Sequence, residues 1–308
     1  MSADASTKHT DTIIEIAPRP KLRALSLDGA DAVRPEPRAE TNFKIRLANT
    51  EGRRSLASYL IKRQYAWRGY EVGALPDMPA NRVTLAAFGR DEHPIATITV
   101  GLDSSAGLTV ETIYPQEVHE LRESGRRLAE FTKLAVDNMV RSKAVLAAIF
   151  HIAYIYAYRI RGATDLMIEV NPRHVRFYEA MLGFEKLGDQ RLDPRVNAPA
   201  VLLRLALAHA ETQIAHYGGH PEIAEQVRSL YPLFFSPAEE HGIQGRLVAL
   251  DCSARPLATA ASFSSRFGGV VFLSFTDDSF ASAQTMRKSP RIACKSRVQA
   301  TLSRVSQQ

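Results

Sequence analysis

Hydrophobic positions first fall into a sustained pattern at Phe43, where Phe43, Ile45 and Leu47 alternate with Lys44, Arg46 and Ala48 in the two-residue period of a half-buried strand. Asn49-Thr50-Glu51 then gives the polar start of a helix expected to run to about Tyr65. After a loop at Pro76–Pro79, the runs Val83–Phe88 and Ile95–Leu102 are separated by the turn-rich Gly89–Pro94, which predicts an antiparallel hairpin. A helical stretch near Gln116–Glu123 stops at Gly125. Across Arg126–Asp137, Leu128, Glu130, Thr132 and Leu134 fall on one strand face and Phe131, Lys133 and Ala135 on the other, which predicts a central strand with one functional side. Downstream, Lys143–Arg161 reads as a helix, Asp165–Val170 as a strand and Arg173–Leu182 as a helix stopped by Gly183. Phe184–Leu187 starts a strand and Ala200–Leu207 is an apolar strand. Strands that dominate first and then alternate with helices predict an α/β (α+β) domain, a mixed sheet with helices on both faces.

The flanks read differently. Residues 1–40, rich in Ala, Asp, Thr, Pro and Arg and closed by Arg34–Arg38, are expected to be a disordered leader to a core at 41–208. Residues 209–253 read as a helical extension, and their aromatic cluster Ser229–Phe235 is too apolar for water, so it should pack on the sheet or cover the substrate entrance. From 254 to 308 Ser, Ala and Arg dominate, and a basic, largely disordered tail is expected. Arg255–Gln308 holds eight basic and two acidic residues and so carries the whole net charge of +6. With the first 254 residues neutral, no nucleic-acid partner is expected.

The longest apolar run, Ala144–Tyr158, is interrupted by His151 and flanked by Lys143 and Arg159. It falls short of a membrane span and reads as a buried core helix. No apolar run precedes a small-residue cleavage site near the N-terminus, so a cytoplasmic location is expected, with membrane contact only through an apolar product. Cys252 and Cys294 have no CxxC partner and read as free thiols. His216 and His220 have helical ligand spacing, but Gly218-Gly219 between them argues against a metal site.

Chemistry concentrates in Ile168–Phe184, which reads as strand, turn with Pro172 near the first helical position, helix and glycine stop. Asn171, then Phe177-Tyr178, then Gly183-Phe184 resembles the late strand-to-helix motif of the GNAT superfamily. More narrowly, Glu169–His174 and Asn197–Arg204 resemble the bacterial N-acyl amino acid synthases, distant relatives of the acyl-homoserine lactone autoinducer synthases, and Leu128–Asp137 is similar to the central strand of both. The resemblance covers about residues 43–250. It implies a GNAT-like, mostly antiparallel sheet with a splay between two central strands, an acyl-carrier protein as donor, and a long acyl chain passed to an amino acid. It also implies that Asn171 contacts the pantetheine arm or supports the splay, and that Tyr178 lies beside the leaving sulfur. On the residues alone, Asn171 is equally a helix cap and Tyr178 a core tyrosine, while Phe177, Leu182 and Phe184 suit core packing.

Aminolysis of a thioester needs a neutral amine, a stabilised oxyanion and a proton for the departing thiolate. A backbone N–H near Leu134–Val136 is the candidate oxyanion donor. Glu130 is the candidate general base if partial burial raises its pKa, with pairing to a neighbouring Arg as the alternative. Tyr178 assists the thiolate. Coenzyme A-dependent acetyltransferases cradle a pyrophosphate on a Gly-rich helix start, whereas Asn138–Val145 contains no glycine. Arg141, Ser142 and Lys143 suit the single phosphate of a 4′-phosphopantetheine arm, and no permanently bound cofactor is expected. His174 is either structural or a contact to that phosphate, and Arg159, Arg161, Arg173 and Arg176 are candidate contacts for an acidic carrier. Val145–Ile155 either lines an acyl tunnel or is plain core. Three competing readings remain: a coenzyme A-dependent N-acyltransferase of the same fold; an autoinducer synthase using S-adenosylmethionine, loosely matched by Arg63, Tyr65, Trp67 and Arg68; and a non-catalytic module docking through Ser229–Phe235. The residues do not identify the acceptor amine.

Overall fold

A computed structural model describes residues 11–16, 42–66, 81–138, 140 and 142–254. Trp67, Arg68, the Pro76–Pro79 loop, Arg141 and the tail from 255 lie outside the described residues. In chain order the elements are β1 (Thr12–Ile16), β2 (Phe43–Leu47), α1 (Glu51–Ala66), β3 (Arg82–Phe88), β4 (Pro94–Leu102), α2 (Pro115–Glu123), β5 (Leu128–Val136) and α3 (Lys143–Tyr154). There follow β6 (Asp165–Val170), α4 (Val175–Leu182), β7 (Glu185–Lys186), β8 (Arg191–Asp193), β9 (Ala198–Ala206), α5 (Leu207–Tyr217), α6 (Ala224–Val227) and α7 (Pro237–Ala254). The strands form a sheet in the order β1-β2-β3-β4-β5-β6-β9-β7, with β8 paired to β9. Every pairing is antiparallel except β5 with β6.

The helices divide between the two faces of this sheet as the strand alternation dictates. Leu60, Ile61 and Tyr65 of α1 and Val118 of α2 share a core with Leu128, Met167 and Leu202. On the other face Phe150 and Tyr154 of α3 and Leu182 of α4 meet Phe131, Leu166 and Leu205. The expected mixed sheet with helices on both sides is therefore present.

Three expectations need correction. The leader is not featureless, because Thr12–Ile16 pairs antiparallel with β2 and buries Ile13 completely. A strand of five residues, cut off from its partner by a long polar stretch, has too little periodicity to stand out. The apolar stretch also does not fall short in length: α3 runs on through a π-helical segment, Ile155–Ile160, to within a residue of the predicted end at Arg161, and Lys143–Ile160 has the length and mean hydropathy of a membrane span. Packing decides its role, since Val145–Tyr154 is buried throughout inside the fold.

The third correction bears on the site. Thr99 pairs with Thr132 and Thr97 with Ala135, so Lys133 and Leu134 together oppose Ile98 in a β-bulge. Lys133 takes φ 52°, the left-handed region, at a cost of about 1–2 kcal/mol for a residue with a Cβ. The bulge reverses the alternation beyond it. Ala135 joins the core of Leu128 and Met167 instead of facing the side of Phe131.

The extension beyond β9 is fastened to α3 by a buried histidine of that helix. His151 is fully buried, accepts from the Phe235 backbone N–H at Nδ1 (3.0 Å) and faces Glu240 through Nε2 (3.2 Å). The Nδ1 acceptor role puts the ring proton on Nε2, a neutral imidazole whose pKa burial pushes down. Phe234 and Phe235 stack on the same ring at 4.8 and 5.4 Å. The Ser229–Phe235 cluster thus packs against the helix face of the domain.

Candidate active site

A gap in the sheet defines the site. β5 and β6 pair only at Leu128↔Asp165, Ala129↔Leu166 and Glu130↔Met167. Beyond Met167, β6 follows β9 as far as Val170↔Val201, while β5 stays with β4. The strands splay, and the backbone polar groups of Phe131–Val136 that would have bonded β6 lose their ladder partner. The bulge at Lys133–Leu134 lies on this wall and turns the backbone at the point where the two strands diverge. Of the expected oxyanion positions, Leu134 is in the bulge and Val136 lies two residues beyond it. The carbonyl of Leu134 accepts the hydroxyl of Tyr65 at 3.3 Å, so its own polar groups are held in a fixed orientation.

Glu130 is the last residue of β5 paired to β6 and is fully buried. Its side chain crosses β4 over Gly101, where a Cβ would sit 2.7 Å from the Glu130 Cγ. Glycine is thus required for this path. Oε1 accepts from Thr109 Oγ1 (2.8 Å) and pairs with Arg82 (3.0 Å), and Oε2 accepts the Val110 backbone N–H (3.1 Å). The alternative of an arginine-paired carboxylate is what the fold builds.

Across the gap stands a second carboxylate in the opposite condition. Glu169, two residues past the last β5–β6 pair, is 3% exposed and accepts from the Arg195 guanidinium at Oε2 (2.6 Å). Its Oε1 is buried without a hydrogen-bond partner among the described residues. Burial pushes its pKa up to about 8 against the pull of Arg195, with Glu130 and Asp193 adding to the rise. The short turn Thr109–Thr112 ties the two carboxylates together: the Thr109 hydroxyl serves Glu130 and its carbonyl accepts from Arg195 (3.2 Å).

The other predicted residues divide. Tyr178 of α4 is fully buried among Phe150, Phe177 and Phe184, and burial, then Tyr65, pushes its pKa well above the usual phenol value. The Asn171 carboxamide oxygen accepts the Arg173 backbone N–H at 3.2 Å, so it caps the turn Pro172–His174 at the end of β6. His174 is 4% exposed with Nε2 facing the Arg173 guanidinium at 3.0 Å, which corrects its reading as a phosphate contact: it has almost no surface to offer. Ser142 and the exposed Lys143 stand at the N-terminus of α3, whose first turn carries no acidic residue. Arg141 lies outside the described residues. Arg159 pairs with Glu211 and Glu240, and Arg161 with Asp251, so these two hold the C-terminal helices; Arg173 and Arg176 are exposed.

Glu169, Lys133, Arg82 and Thr109 carried no assigned role in the sequence. A carboxylate in the otherwise apolar Leu166–Val170 is a visible signal for Glu169. Nothing local marks the bulge, because Lys133 alternates as an ordinary strand residue would.

Residues 57–206 match the family model of the N-acyl amino acid synthase FeeM. Among solved structures, that of FeeM, an N-acyl amino acid synthase from uncultured soil microbes, is 26% identical over 56% of this chain and 94% of its own, with a TM-score of 0.51. An N-acetyltransferase from Lactobacillus plantarum is 16% identical over 54% of this chain and 98% of its own, with a TM-score of 0.38. An acyl-CoA N-acyltransferase from Pseudomonas aeruginosa is 14% identical over 54% and 99%, also at 0.38. No curated protein matches the chain.

Proposed function

We propose, for a chain whose core at residues 57–206 belongs to the N-acyl amino acid synthase family, that it moves a long acyl group from an acyl-carrier-protein thioester to the amine of an amino acid. That the chain is an N-acyltransferase of the GNAT fold is the premise; donor, chain length and acceptor are the proposal. The observation that carries it is the gap beyond Glu130 and Met167, bordered by a strained bulge on one wall and an incompletely bonded carboxylate on the other.

In this reading the pantetheine arm lies in the gap with its thioester carbonyl against the β5 backbone at the bulge. Fixed N–H donors there meet the oxyanion without reorganising. The amine attacks, the N–C bond forms, and its proton passes to Glu169 Oε1, the carboxylate oxygen with open lone pairs. Glu130, bonded to Arg82, Thr109 and Val110, positions the polar face. As the C–S bond breaks, Tyr178 donates a hydrogen bond to the sulfur. A phenol held above its usual value keeps its proton against a thiolate of pKa about 8.5, so the thiol's final proton comes from the Glu169 carboxyl.

The glycine-free Asn138–Val145 supports a single phosphate at Ser142, Lys143 and Arg141 over a pyrophosphate. The apolar side chains of α3 that face Phe131, Leu166 and Leu205 support a long chain by their chemistry. A cytoplasmic site of action accompanies a carrier-protein donor. The test incubates purified chain with acyl-carrier thioesters or acyl-coenzyme A of increasing length, with amino acids, following free thiol and the N-acyl product by mass spectrometry. Turnover with the carrier thioester is expected. Turnover with coenzyme A thioesters alone sinks the donor assignment, and product only from acetyl donors sinks the chain length.

A further inference from the structure

Lys133 is a buried cation with nothing to hold. The residue is 5% exposed, yet its ammonium has no hydrogen bond or ion pair among the described residues. The charged groups that reach it are Arg82, which repels it, and Glu130, which attracts it. Glu130 is already engaged by Arg82, Thr109 and the Val110 N–H. Burying an ammonium unpaired is costly, and here it pushes the amine down to about 8. The backbone beneath it is strained at φ 52° and held there by Thr97, whose hydroxyl donates to the Lys133 carbonyl at 3.0 Å. Two unfavourable features at one residue, on the wall of the reaction gap, mean the fold keeps this ammonium for something that arrives with the substrates.

Three anionic groups come to this gap during the reaction. The phosphate of the arm is a pantetheine length away, toward the start of α3. The oxyanion is transient and is met by backbone donors. The third is the carboxylate of the acceptor, one carbon from the attacking nitrogen.

We propose that Lys133 is the subsite for the acceptor's carboxylate and makes the enzyme select amino acids over simple amines. Glu169, on the other wall, has its Oε1 buried without a hydrogen-bond partner among the described residues. Both lie within electrostatic reach of Glu130. A zwitterion supplies both missing partners at once, its carboxylate to Lys133 and its amine proton to Glu169. The assignment rests on the acyltransferase reading above and adds a discrimination that reading does not require.

The test compares L-tyrosine with tyramine, and L-leucine with isoamylamine, as acceptors for the wild-type chain, K133M and K133R. A charge-assisted bond to the carboxylate is worth about 10- to 100-fold in affinity. The expected result is that K133M raises KM for each amino acid by that factor relative to its decarboxylated amine, and that K133R substantially restores the preference. A K133M variant that slows amino acid and amine equally shows a role in oxyanion or proton chemistry and overturns the proposal, as does one that preserves the discrimination. Calorimetric titration of the amino acid into the full chain is independent of turnover. If wild type binds L-tyrosine and K133M does not, the subsite stands even where no acyl transfer is found and the function reading has failed. Equal binding by both removes it. Because K133M discards an uncompensated buried charge, its melting temperature should not fall, which separates lost recognition from lost fold.

Discussion

Replacing Glu169 by Gln tests the proton acceptor and the energetics of the site together. The carboxyl has its pKa raised from 4.5 to about 8, so the folded state binds a proton that the unfolded chain has released throughout that window. Stability tied to this proton is full below pH 4.5 and is lost as pH rises through about 8, at roughly 1.36 kcal/mol per pH unit. Between pH 5 and pH 7 the wild type should therefore lose about 2.7 kcal/mol that E169Q does not lose, whatever other groups titrate in both. Urea unfolding at the two pH values measures the difference between slopes and is insensitive to the fixed cost of the amide. On the activity side, a base that is protonated below about 8 makes kcat/KM rise with pH toward that value. E169Q should remove that rise and lower the rate about 10²- to 10⁴-fold. If E169Q keeps the wild-type stability slope, the buried unpartnered carboxylate is wrong. If it loses the slope but keeps the rate, Glu169 is structural and the proton goes elsewhere.

Three further outcomes are expected. G101A places a methyl group 2.8 Å from Glu130 Oε1 and should cost about 1–3 kcal/mol in thermal unfolding while lowering activity, since the carboxylate must leave its path over β4. H151L leaves the Phe235 N–H without its acceptor and should cost about 1–3 kcal/mol in urea unfolding at neutral pH. The deficit should narrow below the usual His range, where the wild type must charge a buried imidazole whose pKa is held down. N171A should lose about 1 kcal/mol of stability with the cap on Arg173, and N171D should restore it. A KM for acyl-carrier protein that rises in N171A and stays high in N171D marks a contact to the pantetheine arm as well.

The elements legible in the sequence were those whose partners are close by or whose apolar period is long. The β3–β4 hairpin announces itself through Gly89–Pro94, and α4 through Gly183 at φ 75°, the left-handed stop its position predicted. β1 was missed because its pairing to β2 is a tertiary event, completed by α7 through the Arg246 side chain donating to the Ile13 carbonyl. The motif from Asn171 to Phe184 was legible, yet the resolved contacts give Asn171 a capping bond and bury Tyr178 in aromatic rings. Which of the two readings of Glu130 applies was not legible, because neither Arg82 nor Thr109 is near it in sequence. Burial alone does not say whether a carboxylate is a base; its donors do.

That distinction orders the whole polar face. Arg82, Glu130 and Thr109 form a set in which each carboxylate oxygen has a donor, and such sets are expensive to disturb. Glu169 and Lys133 are of the other kind, one oxygen and one ammonium short of closure, and each has its pKa moved to about 8 by the burial it suffers. Glu130, the carboxylate that attracts Lys133, is already committed to the closed set, and Arg195 reaches only Oε2 of Glu169. A substrate carrying a carboxylate and an amine on the same carbon lowers the cost of that burial on both walls of the gap. Binding energy that would otherwise only hold the acceptor then aligns its nitrogen with the carbonyl and delivers its proton to the one carboxylate oxygen able to take it. A simple amine relieves only one of the two groups, which is why discrimination and catalysis are expected to fail separately in K133M and E169Q.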